Sequence, residues 1–486
     1  MNLAQQKVSI SVRVLLPSVV VTSTLWALAA HEVSPFSVAT AFALFAIPWF
    51  AYCRWQDSDK HDFPLFPMVG GMYFVSYALP LFWGERSMQT FVGTRVFSAE
   101  SLQQPMTLVL LGVVSLWAGM EVGVGRKLGL RTRIEVSSQS YVWNYLRIVL
   151  VVGTAMTSQG LYTIGEGGRQ IMVIFQSVVP TAAFALLFRR YLGGTVENAD
   201  KLFLVLFVGV RFFVGMSSGW LGSFVGFGIV CLAVYIYERR KFPKLAVAAV
   251  LIFIIFFQPA KQSFRKKYWM GDSNAGMVTK VSDWASEAFR LWSGAWSNPE
   301  VVTKLGEQVL KRVSLLEQTA NVMELTPTVV PFQYGHLYSY LGITFVPRFV
   351  WPDKPSMNEA NRWYQVSYGL TENEGLSHVS MAVGTLTESY ISFGWWGPLM
   401  IMFLVGMLLD WFRYSFLSIN SGILLNAIGV ALLPNFLAIE SQMAQYISGL
   451  VQAIALTMVV LMPVMKRERR QAAVPAFRSM PAPPLV

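Results

Sequence analysis

Apolar residues in this chain come in long runs separated by short polar joints. Runs of spanning length lie at about 14–31, 36–53, 64–84, 103–124, 141–160, 170–188, 202–216, 219–237, 244–260, 395–411, 417–437 and 445–465. A helix of about 20 apolar residues crosses a bilayer core of about 30 Å. The pattern therefore predicts an all-α, polytopic inner-membrane bundle of about 12 transmembrane helices. A helix satisfies its own backbone in lipid, where an open sheet edge does not. The short alternating segments of an outer-membrane barrel are absent. One stretch, 261–393, breaks the rhythm and has no clear span. The chain thus divides into nine helices over 1–260, a large loop over 261–393, three helices over 394–466 and a basic, Pro-rich tail over 467–486.

Composition agrees with this class. Hydrophobic residues make up 54% of the chain and charged residues 13%, against about 25% charged in soluble proteins. With the N-terminus cytoplasmic, the cytoplasmic segments hold 21 Lys and Arg and the short outer joints hold 3, Arg86, Arg95 and Arg169. Such a bias fixes orientation. Both termini are then cytoplasmic, and 261–393 faces the periplasm. The net charge of +11 is absorbed by this loop bias, which excludes a nucleic-acid partner. Cys53 and Cys231 both fall at the cytoplasmic side and form neither a disulfide framework nor a metal cluster. The first apolar run lacks a small-residue cleavage site and reads as a retained span. The tail Lys466-Arg-Glu-Arg-Arg470 reads as a membrane-flanking anchor followed by disorder.

The outer region is rich in aromatic residues, among them Trp269, Trp284, Trp292 and Trp351. Segments 280–297 and 302–324 have helical apolar spacing and are expected along the membrane surface. Pro327, Pro331, Pro347, Pro352 and Pro355 force turning or extended backbone between them. A rigid aromatic loop over a bundle suits a long polar ligand.

Candidate chemistry clusters in or near this region. Arg211 lies inside the seventh run, where a charge marks a function or a buried partner; its structural alternative is snorkelling to the outer surface. Arg147, near the cytoplasmic start of its run, reads as a snorkelling side chain. Lys261, Arg265, Lys266 and Lys267 follow the ninth run on the outer side, against the orientation bias. Such cations match a lipid diphosphate and can stabilise it as a leaving group, or simply meet headgroups. Arg312, Arg348 and Lys354 extend the set, Arg348 alternatively pairing with Asp353 or Glu359. Glu388, His378 and Glu317 are the candidates for a general base. A partly dry carboxylate holds its proton more tightly and can take one from a sugar hydroxyl; the alternative for Glu388 is a helix-start carboxylate. Walker, dinucleotide, zinc and Gly-x-Ser-x-Gly patterns are missing, so no cofactor or metal is expected.

Two motifs then carry a resemblance. They are Val346-Pro-Arg-Phe-Val-Trp-Pro-Asp-Lys-Pro355 and Thr387-Glu-Ser-Tyr-Ile-Ser-Phe-Gly-Trp-Trp-Gly397 leading into a span. With a large outer loop late in the bundle, the chain resembles the Wzy-type polymerases of O-antigen, capsule and exopolysaccharide repeat units. The resemblance implies GT-C-like logic and a metal-independent glycosyltransferase. It implies transfer of a growing glycan from undecaprenyl diphosphate onto the next lipid-linked repeat unit at the periplasmic face. It implies that Arg211, Arg265, Arg348 and Arg312, with Lys261 and Lys354, hold the diphosphate and that Glu388 is the base; a ligase-type catalytic histidine is not matched, His378 included, which argues against the ligase. Its partners are then the undecaprenyl-diphosphate-linked oligosaccharide, membrane lipids and a chain-length regulator. A glycan ligase with the same donor, a lipid-linked sugar transporter and a structural secretion subunit are the rival readings.

Overall fold

The computed structural model describes residues 3–58, 63–84, 86–158, 166–269, 271, 275–295, 298–344, 346, 351, 353, 355, 358–372 and 381–469. In chain order, α1 (Leu3–Ala27) and α2 (Pro35–Asp57) precede α3 (Leu65–Tyr73), which passes through a π-turn at Phe74–Ala78 into α4 (Leu79–Trp83). The hairpin β1 (Ser87–Thr90) and β2 (Gly93–Val96) leads to α5 (Gln103–Glu121), α6 (Val124–Leu128) and β3 (Thr132–Val136). Five helices follow: α7 (Tyr141–Ser158), α8 (Glu166–Leu192), α9 (Asn198–Ser217), α10 (Leu221–Arg239) and α11 (Lys244–Phe257). Next come α12 (Lys261–Trp269), α13 (Met277–Ala295), α14 (Pro299–Val313) and α15 (Leu316–Leu325). The last group is α16 (Ser339–Thr344), α17 (Glu359–Ser367), α18 (Gly384–Phe393), α19 (Trp396–Phe412), α20 (Ile423–Phe436), α21 (Met443–Val460) and β4 (Met465–Arg469).

Local chemistry explains the boundaries. Ser34 caps α2 by accepting from the Ser37 amide, with Pro35 in the first turn. Asn298 caps α14, Pro299 and Glu300 open it, and Lys311 and Arg312 close it, matching its dipole. Helix α5 crosses α19 at close range. A Cβ on Gly119 would stand 2.1 Å from the Phe403 carbonyl oxygen, and one on Gly406 2.1 Å from that of Leu116. Only hydrogen at both positions lets the backbones meet, which is how small residues pack apolar helices.

Among the described residues, seven helices are long and apolar enough to cross a membrane: α2, α3–α4, α5–α6, α8, α10, α19 with its extension to Leu417, and α21. The pair α11 and α12, bent by 58°, makes an eighth if it is one span. Shorter apolar helices occupy Val12–Ala27, Tyr141–Met156 and Ile423–Phe436. The run at 202–216 falls on α9, which also carries Asp200, Lys201 and Arg211. Every apolar run thus lies on a helix, while seven or eight of them have spanning length and composition.

Two apolar cores are distinct. The main one joins α2–α10 and α15–α21 around side chains such as Tyr77, Leu116, Leu386, Leu409 and Phe436. A smaller one gathers Met216, Leu221, Phe257, Ala260, Phe264, Tyr268, Trp284 and Ala288 from α9–α13.

Three local expectations change. The segment 302–324 is two helices, and the second, α15, is buried in the main core rather than laid on a membrane surface. Thr319 and Asn321 face the interior there and find partners, so the polar side of the helix is buried along with the apolar side from which the surface position was read. The basic tail begins as a strand: β4 pairs antiparallel with β3, Ile134 opposite Arg467 and Glu135 opposite Lys466. Beside it Glu135 accepts from the Ile423 amide and so caps α20. Arg147 does not snorkel free; it pairs with Glu197 at 2.6 Å and with the buried Asp200 at 2.7 Å, which Arg190 also reaches at 3.1 Å. Burial of Asp200 demands that company.

Candidate functional site

A cationic cluster forms where α12 and α14 approach the joint between α20 and α21. Lys261 opens α12 and is almost fully buried. Its ammonium is pushed down to about 8, first by burial and then by the charges of Arg265 and Arg312, while Glu440 opposes the shift. Arg265 follows one turn on, its guanidinium 4.2 Å over the Trp269 ring. Burial and then Arg312 lower its proton affinity, and its Nε has no partner. Arg312 reaches Glu440 at 3.2 Å, both half-exposed. Three cations therefore share one carboxylate, an excess of positive charge suited to an anion.

The same joint reaches the second feature. The Gly384 amide donates to the Glu440 carbonyl at 3.0 Å and the Thr385 hydroxyl to the Ser441 carbonyl at 2.9 Å. Gly384 has φ +76°, and a Cβ there would stand 2.8 Å from the Ile439 carbonyl oxygen. Glycine thus lets the joint lie against the start of α18. One turn along, Glu388 is completely buried. Its Oε2 accepts from the Met443 amide at 2.6 Å, at the first turn of α21. Its Oε1 has no partner. Burial raises the carboxyl to about 8, with the Met443 amide opposing. Beside it Thr387 shares a 2.6 Å hydrogen bond with Thr319 of α15, and the Tyr77 hydroxyl of the π-turn stands against that pair.

The structure thus brings Lys261, Arg265 and Arg312 together and ties them to Glu388 through residues 439–443. It places Arg211 elsewhere. The Arg211 guanidinium donates to the Gln176 carbonyl and, at 3.5 Å, to that of Ser177, and lies 5.2 Å from the Phe207 ring centroid. Pro180 has no N–H, so the Gln176 carbonyl lacks its helical donor. Arg211 supplies it. Glu317 is buried and bonded to the Ser314 hydroxyl. Arg348, Lys354 and His378 lie outside the described residues. Among the described residues no group of three or more His, Cys, Asp or Glu could hold a metal ion.

Sequence reading missed Glu440, Tyr338, Ser392 and Gln442. Glu440 is the one acidic residue in the joint Ala438-Ile-Glu-Ser-Gln442, which could have marked it as an outer partner for the excess cations. Ser392 stands four residues after Glu388 and so shares its helix face. Tyr338 carried no local signal.

The architecture is that of a mostly helical chain with several helices of membrane-spanning length and composition. Residues 84–428 match the model of a domain of unknown function, DUF8712, and the chain belongs to that family. No curated protein and no solved structure matches it.

Proposed function

We propose that the chain is an inner-membrane polymerase that transfers a growing glycan from undecaprenyl diphosphate onto the next lipid-linked repeat unit at the periplasmic face. The observation that carries this reading is the pairing of an anion-binding cluster with a buried carboxylate through one short joint. Lys261, Arg265 and Arg312 hold the donor diphosphate and neutralise it as it leaves. The acceptor hydroxyl oxygen forms a bond to the donor's anomeric carbon while the bond from that carbon to the diphosphate breaks. The bonding electrons leave on undecaprenyl diphosphate, and the hydroxyl proton passes to Glu388. Diphosphate is already a good leaving group, so clamps, orientation and one base suffice.

The reading includes twelve crossings: the seven spanning helices, the bent pair, the three shorter apolar helices and α9. Contacts between joints support that alternation. Arg312 and Glu440 fall on the side that the charge bias assigns to the periplasm, as do Arg95 and Glu324, paired at 2.9 Å. Arg13 with Asp57, Arg147 with Glu197 and strand β3 with β4 fall on the other.

The test is reconstitution of the purified protein in liposomes with undecaprenyl-diphosphate repeat units, read as a glycan ladder on a gel. A ladder formed without nucleotide sugar is the expected result. Intact substrate beside well-folded protein would overturn the reading, and product appearing only after a foreign acceptor is added would indicate the ligase.

A further inference from the structure

Buried polar atoms without partners gather on one side of Glu388. The carboxylate Oε1, the Ser392 Oγ and the Tyr338 hydroxyl are all buried and have none. Glu388 and Ser392 are completely buried and lie one turn apart on α18. Tyr338 comes from a separate segment, the 3-10 turn His336–Tyr338. That turn is fastened to the end of α18: the Gln333 amide donates to the Ile391 carbonyl at 3.0 Å and the Tyr334 amide to the Ser392 carbonyl at 2.9 Å. The Tyr338 ring stacks on Phe393, centroids 6.1 Å apart and planes within 9°. Its hydroxyl is thereby held beside Ser392, close enough for the two to interact, and within the field of Glu388. Both side-chain amide atoms of Gln442, the residue before Met443, are also buried without partners.

Each orphaned group of this kind costs about 1–3 kcal/mol, and folded proteins leave few of them. Two hydroxyls beside one free carboxylate oxygen call for a guest that both donates and accepts. An anion is better served by Lys261, Arg265 and Arg312, which engage the joint near Glu440. A hydroxyl fits: it donates to Oε1 and accepts from the tyrosine or the serine. The part-exposed Tyr338 ring, alone among the three groups, also reaches the surface.

We propose that Tyr338, Ser392 and Glu388 form a recessed site for one hydroxyl of the acceptor sugar, with the phenol and the serine fixing that hydroxyl against the free carboxylate oxygen. The proposal rests on the polymerase reading and names its acceptor-binding residues. Tyr338→Phe and Ser392→Ala remove only hydroxyls, which at most interact with each other, so the melting temperature is expected to stay close to that of the wild type.

In the liposome assay, Y338F should raise the KM for the acceptor repeat unit about tenfold, the value of one good hydrogen bond, with S392A smaller and the donor KM unchanged in both. A wild-type ladder with unchanged acceptor KM in both variants overturns the proposal and leaves the polymerase reading standing. If wild-type protein makes no ladder, infrared difference spectroscopy decides. The protonated-carboxyl band lost in E388Q should shift when the lipid-free repeat-unit glycan is added to wild-type protein, and should not shift in Y338F. A band insensitive to the glycan, as for a site that takes only water or a monovalent cation, overturns the proposal.

Discussion

Arg211 and Glu388 are both ionisable side chains taken out of water, yet their surroundings differ. Arg211 has carbonyl partners that the fold itself orphaned: Pro180 withholds its amide from Gln176, and the guanidinium replaces it. Glu388 has one amide partner on Oε2 and nothing on Oε1. Burial alone therefore does not mark a functional charge. Arg211 also keeps a buried Nε without a partner, but its charge completes a helix and is explained by the scaffold, whereas the free oxygen of Glu388 has no such account and asks for a ligand.

The contrast is broken most directly at Glu388. Loss of a general base lowers rate by about 10²–10⁴-fold, so E388Q and E388A should both abolish the ladder. Only E388A should also lower the melting temperature, because glutamine keeps an oxygen for the Met443 amide. Wild-type ladders from E388Q would make Glu388 a helix cap and nothing more.

Proton linkage gives the next largest effect. The folded protein holds a proton on Glu388 up to about pH 8, whereas an unfolded carboxyl releases it near 4.5. Tyr338 is the titratable group that faces it, from the 3-10 turn. Stability should therefore be full below pH about 4.5 and fall as pH rises towards 8. The initial rate should climb over the same window as the base form appears. Thermal melts and rates in a pH series check both, and E388Q should flatten the Glu388-linked part of the melting curve.

Arg211 comes third. R211A removes the guanidinium donor to the Gln176 carbonyl and should cost about 1–3 kcal/mol, read as a lower melting temperature in detergent. P180A restores an amide to that carbonyl, so R211A/P180A should recover both stability and ladder. A stable double mutant without ladder would return Arg211 to the diphosphate site.

The smallest structural effect is expected at Arg312. Its half-exposed bridge to Glu440 is worth at most about 1 kcal/mol. R312A should melt almost as wild type does while raising the donor KM. An unchanged donor KM would remove Arg312 from the clamp.

Much of this site could be read from residues alone. Lys261, Arg265 and Arg312 stood out as cations on the outer side of the predicted topology, and Glu388 as a carboxylate ahead of an apolar run. Their meeting could not be read, since it depends on the joint 437–442, which looked like a plain turn between two spans. The same limit applies to α15. Its apolar spacing suggested a surface helix with the polar side in water, but Thr319 and Asn321 are satisfied by Thr387 and by the Tyr368 carbonyl, partners 68 and 47 residues away. Arg147 was misjudged for a related reason, because Asp200 lies on another helix.

Hydrophobic periodicity and charge bias set the class of this protein, its helical runs and the side on which each joint should lie. Those properties come from the cost of exposing polar backbone to lipid and from the field that orients loops, and both act on single segments. Tertiary packing decided which charges are satisfied and which are left wanting. Whether a carbonyl, an amide or no group at all faces Arg211, Asp200 or Glu388 depends on helices distant in the chain. No local pattern encodes that arrangement, because the free energy of a buried charge is set by everything within a few ångströms of it.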